Sequence, residues 1–151
     1  MYEFLTAFHS ILRYLLLILL VGTTIRSLTA WSTGGHYYRS DERAVVFTVI
    51  CTHLQLLIGL SLLFLSPKVA FSDLGTVMKD PGLRFFTVEH GSLMLLAILL
   101  ITIGRSKAKR AYSEISKHKR IGIFFLIALL LIFFAIPWPF FSFSPNGTWL
   151  F

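Results

Sequence analysis

Four long apolar blocks, separated by short polar segments, constrain this chain more than any other feature. They are Phe4–Leu28, Ala44–Leu65, Leu83–Gly104 and Ile121–Trp138. Each is close to the roughly 20 residues that an α-helix needs to cross about 30 Å of hydrocarbon. Only 14% of the 151 residues are charged, whereas a soluble domain usually carries about 25%. Residues 1–151 therefore predict a single transmembrane domain, an all-α, integral membrane, up-down four-helix bundle, because short connections make consecutive helices antiparallel neighbours.

The beginning of the chain lacks the features of a secretory signal peptide. Its first residues include Glu3 but no lysine or arginine, and the first apolar block is longer than the apolar core of a signal. We therefore expect the first helix to stay in the protein. The lone Cys51 cannot form an internal disulfide, and no Cys-x-x-Cys-His motif is present, which excludes covalent c-type haem attachment.

The positive charge of the chain is concentrated in one segment. The net charge is +7, and Arg105–Arg120 contributes +6 of it, from seven basic residues against the single carboxylate of Glu114. Basic residues accumulate in cytoplasmic connections, so the sequence predicts a cytoplasmic basic loop 105–120 and an N-out, C-out topology. Charge placed in this way favours contact with the lipid bilayer and its anionic headgroups. It argues against a nucleic-acid partner.

Turn and capping residues predict where the helices begin and end. Ser40 or Asp41 is suited to cap the second span, and Pro67 to stop it. Asp80–Pro81 is typical of a cap followed by the first residue of a helix. The prolines of Ile136–Phe140 break the fourth span.

Three histidines lie within the predicted spans, where an imidazole is costly and needs a reason to be present. Neutral imidazole is a common metal ligand and often holds haem iron. At about 1.5 Å per residue, His90 lies roughly 14 Å below Pro81 and His9 roughly 12 Å below the first residue. His53 lies roughly 20 Å below the end of its span. The depths make His9 and His90 the best-matched pair of axial ligands and leave His53 and His90 as the second choice.

Further polar side chains accompany these histidines. Arg13 is one helical turn beyond His9 and needs an anion, which Glu89 or a haem propionate would supply; alternatively its side chain extends to the membrane surface. Gln55 and Glu89 are candidates to orient a ligand, although Gln55 could equally form a hydrogen bond between helices. His36 and His118 are predicted to be solvated loop residues.

The chain also resembles a known family in several motifs. These are Phe8–Tyr14 (FHSILRY), His53–Leu60 (HLQLLIGL), Arg84–His90 (RFFTVEH), Ile101–Gly104 with Lys107–Arg110, and Ile136–Phe140 (IPWPF). Together they are similar to the small four-span bacterial membrane proteins catalogued as cytochrome b-like. That resemblance covers nearly the whole chain and implies haem b and a bacterial inner membrane.

A weaker similarity is to one four-helix half of the haem A synthase family. The present chain has one bundle instead of two, and Glu89 directly precedes His90, which argues against a synthase reaction.

Two main functions therefore compete, and a third class, a small transporter or an enzyme of haem metabolism, would need a polar path through the bundle that only the stripe Thr48–Gln55 suggests. The leading hypothesis is a b-type haem protein in which His90, with His9 or His53, ligates the iron for electron transfer. Its expected partners are other membrane subunits and a quinone. The alternative is a haem-free structural or accessory subunit of a larger membrane complex, in which the histidines form hydrogen bonds between helices. Both favour an electron carrier or a subunit over a stand-alone enzyme.

Overall fold

The computed structural model describes residues 1–71 and 73–139, and every regular element within these ranges is helical. The elements are α1 (Tyr2–Thr33), α2 (Arg39–Leu65), α3 (Leu74–Lys79), α4 (Pro81–Arg84), a π-helical turn (Phe85–Glu89), α5 (His90–Lys109) and α6 (Glu114–Ala135). Because α4, the π turn and α5 are continuous, we refer to Pro81–Lys109 as the third segment. Within the described ranges, α1, α2, the third segment and α6 are long and apolar enough to cross a membrane. The prediction of four such helices is confirmed.

Several helix ends lie where the sequence predicts them. The Asp80 carboxylate accepts a hydrogen bond of 2.8 Å from the backbone N–H of Leu83, and Pro81 occupies the first helical position. α2 ends at Leu65, before Pro67, and α6 ends at Ala135, before the prolines. Phe140, the last residue of the predicted ending, and the C-terminus lie outside the described residues.

The start of α2 differs from the prediction. Tyr38 is the residue that precedes the first helical turn, and Asp41 lies inside that turn. The Asp41 carboxylate reaches back and accepts the backbone N–H of Tyr38 at 2.9 Å. The prediction that Ser40 or Asp41 would itself be the cap is wrong, because a carboxylate in the third helical position can satisfy the same N–H from within the helix.

The basic connection is much shorter than predicted. α5 continues to Lys109 and α6 begins at Glu114, so only residues 110–113 are outside the two helices, and most basic residues of 105–120 lie on helix ends. The sequence predicts that His118 is a solvated loop residue, and this prediction is wrong. His118 lies on α6, is fully buried, and packs its ring edge-on against Tyr37 with 4.9 Å between centroids.

Polar side chains join α1, α2 and α5 beside this connection. Arg26 donates two hydrogen bonds, of 2.9 and 3.2 Å, to the carboxylate of Asp41. The Tyr37 hydroxyl donates to Glu42 at 2.8 Å, and Arg105 lies 3.6 Å from the other oxygen of the same carboxylate. Burial and the neighbouring Glu42 carboxylate raise the pKa of Tyr37 well above its usual range, so its hydroxyl stays a donor at physiological pH.

Small residues allow α6 to pack closely against its neighbours. A Cβ atom on Gly104 would lie 2.6 Å from Cβ of Phe124, and one on Gly122 would lie 2.8 Å from Cδ2 of Leu28. The most extensive packing is between α5 and α6, followed by α1 with α6 and α1 with α2, and the packing of α2 against α5 is much smaller. The principal apolar core contains Leu20, Val45, Ala97, Ile101, Ala108, Ile121, Phe125, Ala128, Ile132 and Ile136.

We expect Gly104→Ala to lower the free energy of unfolding by about 1–3 kcal/mol, since Cβ of Phe124 cannot move without displacing α6. Gly22→Ala is the matched control, because nothing lies within 4 Å of its added methyl group and alanine is the better helix former. Unfolding in detergent micelles, followed by circular dichroism, measures both variants. Equal effects would contradict the close approach of α5 and α6.

Candidate functional site

The described residues enclose a cavity of about 630 Å³ where α1 begins and where α2 and α6 end. It forms there because α2 and the third segment pack little against each other. Its walls are mostly apolar and include Leu16, Leu56, Leu95, Ile98 and Ile132. Its volume lies in the range of about 300–1,000 Å³ that is typical of small-molecule and cofactor sites.

His90 reaches this cavity from a distorted part of the third segment. Its backbone N–H bonds to the carbonyl of Phe85, which closes the π turn. Single π turns are rare and are often found at functional sites, because the extra residue changes which side chains face inward. The Nδ1–H of His90 donates to the carbonyl of Ala135 at 2.7 Å. A carbonyl can only accept, so the hydrogen lies on Nδ1 and the lone pair of neutral His90 lies on Nε2.

His9 faces His90 from α1. The two ring centroids are 6.4 Å apart, and the ring planes make an angle of 62°. Nδ1 of His9 is buried and has no hydrogen-bond partner among the described residues. On the α2 side, the ring lies beside Gly59, where a Cβ atom would be in ordinary contact with Cε1 of His9 at 3.5 Å. Both histidines line the cavity.

Arg13 and Gln55 also line the cavity. The guanidinium of Arg13 lies over the ring of Tyr14, 4.8 Å from its centroid. The Gln55 amide donates to the backbone carbonyl of His9 at 2.9 Å, so it joins α2 to α1. The hydrogen bond between helices that the sequence permits for Gln55 is present, and its acceptor is the backbone of His9 and not the imidazole.

Two of the six predicted site residues lie away from the cavity lining. Glu89 accepts a hydrogen bond of 2.7 Å from Nε of Arg84, in a partly exposed ion pair. His53 is exposed, and its Nδ1 donates to the carbonyl of Val49 in its own helix at 2.8 Å. Of the three candidate ligands, the fold therefore brings together His9 and His90 and leaves His53 on the outer surface of α2.

Other residues of the site are not evident from the sequence. Lys68 and Thr87 line the cavity, and the Thr87 hydroxyl accepts the backbone N–H of Ala70 at 3.2 Å. The carbonyl of Ala135 is the partner of a ring nitrogen on a different helix, which no pattern of side chains indicates. The proline at position 137 is the nearest signal, because it requires α6 to end where this carbonyl is left without a helical partner.

Gln55→Met tests whether this residue mainly joins the two helices. We expect the free energy of unfolding to fall by about 0.6 kcal/mol, and by less than about 1.7 kcal/mol, the range for hydrogen bonds between helices in membranes. Leu54→Met, at an exposed neighbouring position, is the control. Unfolding in micelles by circular dichroism measures both, and a larger loss for Gln55→Met would reveal a further partner of its side chain.

Comparison of this chain with protein-family models, curated proteins and solved structures gave no match. Its function must therefore be inferred from the cavity and from the four side chains, His9, Arg13, Gln55 and His90, that line it.

Proposed function

We propose that this chain is an integral membrane protein of the bacterial inner membrane, folded as an up-down four-helix bundle. The shortest of the four long helices has 22 residues, which corresponds to about 33 Å at 1.5 Å per residue and suffices for a bilayer core. The basic ends of α5 and α6 favour a cytoplasmic location for residues 105–120. In this proposed N-out, C-out topology, the cavity lies in the outer half of the bilayer and both termini lie outside.

We further propose that the cavity binds one haem b, with His9 and His90 as its axial ligands. The observation that carries this proposal is the pair of imidazoles facing each other in a mostly apolar cavity. With metal–nitrogen bonds of about 2.0 Å, two imidazoles on opposite sides of one ion have centroids roughly 6 Å apart. The observed separation of 6.4 Å fits this requirement.

The set of side chains suits haem better than a bare metal ion. No group of three or more His, Cys, Asp or Glu side chains within residues 1–71 and 73–139 is arranged to hold a metal. A structural or catalytic zinc site needs three or four protein ligands. Haem supplies four ligands of its own, so two histidines complete its coordination.

Arg13 has the charge and position to bind a propionate. Its guanidinium lines the same cavity as the two histidines, and a cation within a membrane is expected to pair with an anion. Gln55 contributes indirectly, because its hydrogen bond holds the backbone of His9 against α2. Glu89 and His53, which do not line the cavity, are outside this ligand set.

The proposed role is electron transfer within or beside a respiratory complex. A haem held by two histidines supplies a one-electron couple of the iron. The chain offers no extramembrane domain among its described residues, so we propose that it exchanges electrons with a quinone or with another membrane subunit. Exposed apolar side chains along all four long helices suit both lipid and such a subunit.

One observation favours the alternative, a haem-free accessory subunit. His90 already has a function without iron, since its Nδ1–H joins the third segment to the end of α6. Gln55 likewise joins α2 to α1. In this second candidate function the polar groups stabilise the bundle, and the apolar surfaces pack into a larger membrane complex.

The absorption spectrum of the protein purified from a haem-replete host distinguishes the electron-transfer function from the haem-free accessory-subunit function. We expect a reduced-minus-oxidised spectrum of b type and about one haem per chain. The double variant His9→Ala/His90→Ala should contain no haem, whereas His53→Ala, the matched control on the outer surface, should keep it. A wild-type protein without haem, recovered together with a complex, would establish the accessory-subunit function instead.

Substitution of Gly59 tests the location of the haem. A methyl group at this position makes only an ordinary contact with His9, so Gly59→Ala should retain haem. The side chain in Gly59→Leu would fill the space beside the imidazole, and we expect haem content to fall at least about tenfold. Haem per folded chain is measured by pyridine haemochrome, with circular dichroism as the check on folding. Full haem content in Gly59→Leu would place the haem elsewhere.

A further inference from the structure

The two facing histidines are held very differently by the protein. We infer that His90 is the permanent axial ligand and that His9 is exchangeable, so that the face of the haem beside His9 can accept a small neutral ligand. This inference rests on the haem site proposed above. It adds to that site a division of roles between two side chains that the sequence presents as equivalent.

His90 is fixed at both its backbone and its ring. Its backbone N–H closes the π turn on Phe85, and its ring packs against the Phe85 ring with 5.8 Å between centroids. Its Nδ1–H donates to the Ala135 carbonyl at 2.7 Å. Ala135 is the last residue of α6, so this carbonyl is among those that the helix itself leaves without a partner. The bond therefore persists without competition from an intrahelical N–H.

This bond also makes His90 the stronger ligand. A histidine that donates its second ring N–H to a carbonyl has a fixed tautomer, a fixed ring orientation and a more basic ligating nitrogen. All three favour a bond from Nε2 to iron. Loss of such an orienting partner typically lowers metal affinity by about 10–100-fold.

His9 lacks this support. Its Nδ1 has no hydrogen-bond partner in the described part of the chain, although it is buried. The amide of Gln55 binds the backbone carbonyl of His9 and not its ring. The ring itself lies against Gly59, where a Cβ atom would make an ordinary contact of 3.5 Å with its Cε1. The backbone of His9 is therefore held in place, while no hydrogen bond within the described residues orients its Nδ1.

The consequence is a site that opens on one side only. With haem bound, His9 would be the ligand that dissociates and it would keep its lone pair, so that no proton or electron would be transferred. A small neutral molecule that donates a lone pair can then occupy the vacated position. The mostly apolar walls of the cavity can accommodate such a molecule.

Carbon monoxide, added to the reduced protein, is the probe. We expect it to shift the wild-type spectrum and to bind His9→Ala at least about tenfold faster, because no ligand has to leave first. His9→Ala should retain haem with an affinity at least about tenfold higher than that of His90→Ala. His53→Ala should match the wild type in both measurements. Since either variant could disturb folding, circular dichroism and rescue of haem binding by added imidazole accompany each.

The outcomes separate this inference from the haem proposal. Wild-type protein without haem would overturn both. Haem that is lost equally from His9→Ala and His90→Ala, or more from His9→Ala, would overturn the division of roles and leave the haem proposal standing. The division of roles would also be overturned, and the haem proposal would stand, if carbon monoxide left the spectra of the reduced wild-type protein and of His9→Ala unchanged.

Discussion

The hydrogen bond from His90 to the carbonyl of Ala135 connects the two features on which the candidate site depends. α6 must end near this point because Pro137 follows, and a helix that ends in an apolar environment leaves carbonyl groups that need donors. The imidazole of His90 supplies one such donor from another helix. The same bond fixes which ring nitrogen carries the hydrogen, and so leaves Nε2 as an acceptor on a residue that lines the cavity.

The two ends of the helical assembly differ because their side chains differ in size. Near the short connection between α5 and α6, Gly104 and Gly122 allow close contact with Phe124 and Leu28. At the other end α2 and the third segment pack little against each other, and the cavity occupies the space between them. Close packing at one end can hold the helices in place while the other end remains open for a ligand.

The sequence predicts the helices well, because long apolar runs and the Asp80–Pro81 and Pro137 signals act locally. Depth along the helix also matches His9 with His90. Rotation about the helix axis is harder to use, since most of α2 is apolar and an imidazole about 100° from the small and polar face of Thr48, Cys51 and Thr52, which the structure buries, can still border that face. His53 is therefore a reasonable candidate from sequence but lies on the outer surface. The π turn before His90 and the burial of His118 likewise depend on contacts between helices.

The hydrogen bond of His90 does not by itself decide between a haem site and a purely structural role, because the two roles use different atoms. Joining the helices requires only the Nδ1–H, whereas ligation requires the lone pair of Nε2. A purely structural histidine would have no need of a second imidazole facing it across a cavity. His9 provides that second imidazole, and its ring makes no hydrogen bond through Nδ1 within the described residues that would stabilise the bundle. The burial of His9 is thus the feature that a structural role leaves unexplained and that an axial ligand would account for.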